Sequence, residues 1–183
     1  MNTLSELEGV VLGLVSLRQP CTAYGVRRAL TDSPSTHWSA SSGSIYPLLR
    51  KLESRGLVES SEDPDDRRGR RLLQVTDAGR AVHSDWMFQA SSPAVTAAVS
   101  DTIRSRAFFL GSLAPAERVR FIEEALAALD VFLARTRDDL EARERSEDTY
   151  GTWAARGGVY QAEARVRWML ELKREVERES SGA

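Results

Sequence analysis

Gly43-Ser44-Ile45-Tyr46-Pro47-Leu48-Leu49-Arg50-Lys51-Leu52-Glu53-Ser54-Arg55-Gly56-Leu57-Val58 is the stretch that decides the fold. At 100° per residue, Ile45, Leu48, Leu49 and Leu52 fall on one side and must face a core. Gly43, Pro47, Arg50 and Ser54 fall on the other, flanked by Tyr46 and Lys51. The pattern predicts a helix over 42–55, and Gly56 stands where a helix C-terminus favours a residue free to adopt positive φ. Small residues at the front of the polar face let the backbone approach a partner closely. Ser41, Ser42 and Ser44 place hydroxyls near the helix N-terminus, where backbone N–H groups already favour phosphate. Arg50 and Lys51 add charge, and Tyr46 adds a ring and a hydroxyl. The face suits insertion into a DNA major groove, with phosphate contacts fixing the register. A plain solvated amphipathic helix has the same period, so the flanking sequence has to separate the two.

Leu57-Val58-Glu59-Ser60 and Arg71-Leu72-Leu73-Gln74-Val75-Thr76 predict two short strands. The polar run from Glu62 to Arg70, with Pro64 and Gly69, makes them a hairpin with a long tip. Upstream, Leu4, Leu7, Val11 and Leu14 predict a helix over 3–17 that ends before Pro20. Thr22 caps a second helix over 23–31, which Ser33-Pro34 stops. Downstream, Thr76-Asp77 caps a fourth helix through Gln89. Helix, helix, helix, strand, strand, helix is the order of a winged helix-turn-helix. Arg67, Arg68, Arg70 and Arg71 gather on the wing tip, and Glu62, Asp63, Asp65 and Asp66 stand ready to pair with some of them. Exposed charge of this kind is commonly a solvated loop. A basic tip behind a basic helix, however, straddles a groove and its phosphates, and each neutralised phosphate adds affinity by counterion release.

Ser91-Ser92-Pro93 is the first strong break after that, dividing the chain into residues 1–90 and 91–183. The second part reads as helix throughout: one helix over 94–112, then a second opened by Pro115 at its N-terminus. Val119, Ile122, Leu126, Leu129, Leu133 and Leu140 follow alternating three and four spacing, interrupted only at Thr136, a heptad seam. Ser146 to Thr152 predicts a bend, and a last helix carries Trp153, Tyr160, Val166, Trp168, Met169, Leu172 and Val176. No internal repeat is present.

Composition narrows the function classes. The chain has 183 residues, 42% hydrophobic and 28% charged, ordinary for a globular protein. No apolar run reaches 18 residues, so no transmembrane helix is predicted. The Leu4-Ser5-Glu6-Leu7-Glu8 start lacks the basic and apolar order of a signal peptide, and a cytoplasmic location is expected. The net charge of −2 hides an asymmetry. Residues 1–80 carry 11 Lys and Arg against 10 Asp and Glu, and the remainder 14 against 17. One cysteine and two histidines build neither a disulfide nor a four-ligand zinc site, and no cofactor is expected. Cys21 with His37 or His83 is a weak case for a thiol nucleophile and its base, and a small buried residue suits Cys21 better. There is no phosphate loop, nucleophile elbow or His-Glu-x-x-His. The chain is read as a non-enzyme.

The run from Gly43 to Val58 resembles the recognition-helix signature of the PadR family of bacterial transcriptional regulators. Tyr24-Gly25, and Arg71 to Arg80 after the wing, are similar to it as well. Phe108 to Glu117, and Gly157-Gly158-Val159-Tyr160-Gln161-Ala162-Glu163-Ala164 through Trp168, resemble the helical dimerisation domain of its larger subfamily. The resemblance implies a mainly α (α+β) fold, an N-terminal winged helix-turn-helix followed by an all-α antiparallel helical dimerisation domain. It implies a homodimeric DNA-binding regulator, usually a repressor, responsive to phenolic acids or planar hydrophobic drugs. The expected partner is a double-stranded operator of inverted repeats with half-sites about 10–10.5 bp or a multiple apart. The expected DNA contacts are Tyr24, Ser41, Ser42, Ser44, Tyr46, Arg50, Lys51, Arg67, Arg68, Arg70 and Arg71. Val119, Ile122, Leu126, Leu129, Leu133 and Tyr160 are expected at the dimer interface. Trp86, Trp153 and Trp168 are the candidates for lining an aromatic effector, although aromatics at helical spacing more often serve core or interface. A winged-helix protein-interaction module without DNA binding is the alternative, and it has no need of a basic helix and wing on one side.

Overall fold

Ser5 starts the first helix. Its hydroxyl accepts from the Glu8 N–H at 3.3 Å, and the Glu8 carboxylate accepts from the Ser5 N–H at 2.8 Å. This reciprocal capping box satisfies two N–H groups that the helix cannot satisfy itself. The computed structural model describes residues 4–33, 41–64, 66, 69–89 and 101–181. It divides into two compact units, Met1–Val99 and Ser100–Ala183. The expected boundary at Ser91-Ser92-Pro93 lies outside the described residues, as do His37 and Trp38.

In the first unit α1 is Glu6–Arg18, α2 is Ala23–Thr31 and α3 is Ile45–Ser54. The predicted start of α3 at residue 42 is a short 3-10 turn, Ser41–Ser44, that leads into the helix. Gly56 ends the α3 region at φ 69°, the left-handed conformation expected of it. Strand β1 (Val58–Glu62) pairs antiparallel with β2 (Arg71–Val75), with Val58 opposite Val75 and Glu62 opposite Arg71. Helix α4 is Asp77–Gln89, and Thr76 accepts from the Gly79 N–H at 3.0 Å. Leu12, Val15, Val26, Leu30, Ile45, Leu52, Leu57 and Val75 form one buried core under the helices and the hairpin. The α1–α2 connection is stitched to the wing. Cys21 and Leu73 exchange backbone hydrogen bonds of 3.2 and 2.7 Å, and the Gln19 side chain accepts from the Val75 N–H at 2.9 Å. Half-buried Cys21 is thus a backbone bridge beside the sheet.

Helix α4 seats on α1 because two glycines one turn apart leave room for its side chains. A Cβ on Gly9 would lie 2.1 Å from the Trp86 ring, and one on Gly13 would lie 2.8 Å from His83 Nε2. His83 and Trp86 stack with ring centroids 5.5 Å apart. Burial pushes the His83 pKa down, partly offset by its hydrogen bond to the Gly9 backbone, so a neutral imidazole packs here at pH 7. Gly9→Ala is expected to force the indole out and destabilise the unit by about 2 kcal/mol, as overpacking does. A denaturation midpoint with a red-shifted tryptophan emission would register it, and an unchanged midpoint would count against this packing.

In the second unit Asp101 caps α5, which is Thr102–Ala107, accepting from the Ile103 and Arg104 N–H groups. The single helix expected over 94–112 is therefore, within the described residues, a two-turn helix and a 3-10 turn at Leu110–Ser112. Helix α6 is Pro115–Glu144 with Pro115 in its first turn, and α7 is Thr149–Ser181. The bend is shorter than expected because Asp148 caps α7, accepting from the Gly151 N–H at 2.9 Å. Arg165 of α7 donates to Asp101 at 3.0 Å, tying the start of α5 to the hairpin. Ile122, Ala125 and Leu129 pack with Met169 and Val176, and Leu133 packs with Val159 and Ala162. Thr136, the break in the seam, is buried; its hydroxyl donates to the Phe132 carbonyl at 2.7 Å and its methyl faces Gly158.

This packing gives the seam a facing helix within its own chain. Ile122, Leu129 and Leu133 are buried against α7 of their own chain, and Val119 and Leu126 are half-buried there. A heptad pattern asks only for a facing helix, and the hairpin partner supplies it. Of the residues expected at a subunit interface, Tyr160 alone remains largely exposed, at 61%.

Candidate nucleic-acid interface

Ile45, Leu49 and Leu52 anchor α3 in the core, which turns Tyr46, Pro47, Arg50 and Lys51 outward. Ser44 stands at the N-cap of α3 with φ −89° and ψ −1°, and its hydroxyl makes no capping hydrogen bond. That hydroxyl therefore has no capping role to give up to an outside acceptor. Tyr46 is 41% exposed, and Tyr24 on α2 is 58% exposed. The backbone of Ser41 and Ser42 forms the turn ahead of α3, whereas their side chains lie outside the described residues. Arg50 is exposed and makes no ion pair among the described residues.

The other cations are held by carboxylates. Lys51 Nζ lies 2.9 Å from Glu8 Oε1, and Arg55 Nη1 lies 3.2 Å from the same oxygen. Burial pushes the Glu8 carboxyl up, but the Ser5 N–H, Lys51 and Arg55 together bring it below the ordinary carboxylate value. In the wing, Arg70 donates to the buried Asp63 through Nε at 2.7 Å and through Nη2. The hairpin tip is closed by the Asp63 N–H donating to the Arg70 carbonyl at 2.8 Å. Arg71 Nη2 lies 3.0 Å from Glu53 Oε1 on α3. The acidic run before the arginines thus does pair with part of them. Arg67 and Arg68 lie outside the described residues.

The structure therefore brings Tyr24, Ser44, Tyr46 and Arg50 into one unit with the wing, and it spends Lys51, Arg70 and Arg71 on internal pairs. Sequence reading missed Glu8, Glu53 and Gln19. The Ser5-x-x-Glu8 spacing was a signal for Glu8 as a cap, though not for its grip on α3. The proposed effector residues are divided between the two units. Trp86 packs on Gly9 in the first unit. In the second, Trp153 is 61% exposed beneath the Arg156 guanidinium, and Trp168 packs against the hairpin core. Trp153 and Trp168 sit about 22 Å apart along α7, too far for one small ligand on one chain to touch both.

Residues 11–85, from α1 through most of α4, match the family described as "Transcriptional regulator PadR-like family". Over these residues the chain is similar to the PadR-like family. The transcriptional regulator Rv3488 of Mycobacterium tuberculosis is 43% identical over 53 residues, 28% of this chain and 50% of that protein. The match thus spans half the length of this curated relative. Bacillus subtilis PadR in complex with operator DNA superposes with a TM-score of 0.78 at 20% identity, covering 94% of this chain and 99% of that one. The same protein in complex with p-coumaric acid superposes with a TM-score of 0.72 at 18% identity, covering 96% and 99%. The PadR-like architecture, a winged helix with a C-terminal helical domain, therefore extends along nearly the whole chain. Among the described residues no helix is long and apolar enough to cross a membrane. No group of three or more His, Cys, Asp or Glu among them is placed to hold a metal ion.

Proposed function

We propose that this chain is a homodimeric, sequence-specific DNA-binding regulator that represses transcription at an inverted-repeat operator and is released by a small aromatic ligand. The observation that carries the reading is the outer face of α3. Tyr46 and Arg50, the latter without an ion pair among the described residues, lie along one helix face whose opposite side is locked into the core, and the Ser44 hydroxyl at the N-cap makes no capping hydrogen bond. Such a face offers donors and charge to base edges and phosphates. Arg67 and Arg68, which the sequence places between the two strands of the wing, are the further arginines assigned to flanking phosphates. The operator and p-coumaric acid complexes of Bacillus subtilis PadR support the choice of DNA and of an aromatic ligand.

The dimer contact in this reading belongs to α7. Trp153 and Tyr160, seven residues apart, share one face and stay exposed in the single chain. Exposed aromatics of this size are characteristic of interface rather than of free surface.

Selection of duplexes from a random library by the full-length protein tests the proposal. The expected result is an enriched sequence with two-fold symmetry. Ser44→Ala or Tyr46→Ala should lower the preference for that sequence over random DNA. Arg67→Ala should weaken both alike and reduce the salt slope by about one unit. Addition of p-coumaric acid or related phenolic acids should release the enriched duplex. No enrichment, or an asymmetric site, would overturn the DNA reading. Undiminished retention with every phenolic acid would remove the effector from it.

A further inference from the structure

We infer that Glu53 is a positioning residue for DNA recognition, a strut that sets the wing against the recognition helix and keeps Arg71 away from phosphate. The inference rests on the DNA-binding reading above. Glu53 lies in the last turn of α3, and its carboxylate reaches both strands of the hairpin. It accepts from the Ser60 hydroxyl on β1 and from Arg71 Nη2 on β2 at 3.0 Å. Ser60 sits opposite Leu73, and Arg71 opposite Glu62, so the two bonds grip the sheet at two levels of its ladder. A helix that reads bases and a wing that straddles phosphates must keep a fixed spacing to meet one stretch of duplex. Of the described residues, Glu53 is the side chain that bonds α3 to both strands.

The same contact changes the accounting of charge. Arg71 was expected among the phosphate ligands, yet its guanidinium is engaged by a carboxylate at hydrogen-bond distance. A phosphate has to displace Glu53 to claim it, and the wing would lose its brace in the exchange. Arg71 therefore contributes geometry, while the charge that meets the backbone comes from Arg50 and the tip.

The test uses the full-length protein, the duplex enriched by selection, and an unrelated duplex, each titrated at several salt concentrations. Arg71→Met is expected to weaken the enriched duplex about tenfold, the size of one lost charge-assisted hydrogen bond. It should leave the salt slope on both duplexes as in the parent. Glu53→Ala is expected to lose the same preference while steepening the slope by about one unit, because Arg71 is set loose to bind phosphate. The double variant should return the slope to the parent value. Glu53→Gln, whose amide oxygen still accepts from Ser60, should recover part of the preference that Ala loses. Thermal melts confirm that each variant is folded. A slope reduced by about one unit in Arg71→Met would overturn the strut, for Arg71 would then be a phosphate ligand. Unchanged preference in both Glu53 variants would overturn it too. Failure of the parent to enrich any duplex would instead sink the DNA-binding reading, and this inference with it.

Discussion

Deletion of residues 94–183 is expected to weaken operator binding by about 10²- to 10⁴-fold, the gain that linked sites normally provide. The remaining winged helix should fold, since its core of α1, α2, α3 and the hairpin is complete in itself. It should sediment as a monomer. Two half-sites bound by one dimer act at high effective concentration, and that advantage vanishes with the helical unit. Because Ile122, Leu129 and Leu133 are already covered by α7, substitutions there should unfold the hairpin rather than split a folded dimer. Tyr160→Arg on the full-length chain is the finer probe, expected to give a folded monomer with the same loss of affinity. Analytical ultracentrifugation with operator titration checks both. A truncated form that remained dimeric would move the interface into the first unit.

Replacing Glu8 should have the largest effect on stability. Glu8→Leu removes half of the capping box and takes away the carboxylate that Lys51 and the mostly buried Arg55 share. Breaking a buried ion pair from one side costs several kcal/mol. Lys51 can turn to solvent, so about 2–3 kcal/mol is expected here, and a fall in melting temperature of about 10 °C or more. The sign of the pH dependence follows from the direction of the shift. The folded carboxyl lies below its ordinary value, so its contribution is complete at neutral pH. It is lost as pH falls through the lowered folded pKa. Glu8→Leu should therefore flatten the acid limb of the stability curve. A melting temperature within about 2 °C of the parent at pH 7 would show that the pair carries little.

Much of this was legible because it is local. The Ile45, Leu49 and Leu52 stripe, the positive φ of Gly56 and the two strands of the wing each follow from short spacings and turn chemistry. What was hidden depends on juxtaposition across the chain. Glu8 meets Arg55 from 47 positions away, and Glu53 meets Arg71 from 18. A charged residue in a sequence carries no sign of whether it faces solvent, DNA or a carboxylate. This is why Lys51, Arg70 and Arg71 read as phosphate ligands when their described partners are acidic side chains. The heptad seam is ambiguous for a related reason. Its period specifies a neighbouring helix without saying to which chain that helix belongs. Trp86 was equally opaque, since its notch is made by the absence of a side chain at Gly9.

The backbone bridge between Cys21 and Leu73 has a further consequence for solubility. A two-stranded hairpin has two open edges, each a template on which another chain can add a strand. Cys21 occupies the outer edge of β2 where that strand enters the core. The opposite edge belongs to β1, whose Val58-Glu59-Ser60-Ser61-Glu62 carries two carboxylates and a single apolar residue. Copies approaching along that edge bring like charges together before their backbones can pair. The wing can therefore project far enough to touch a polyanion without serving as a seed for fibrils at the concentrations at which the protein accumulates.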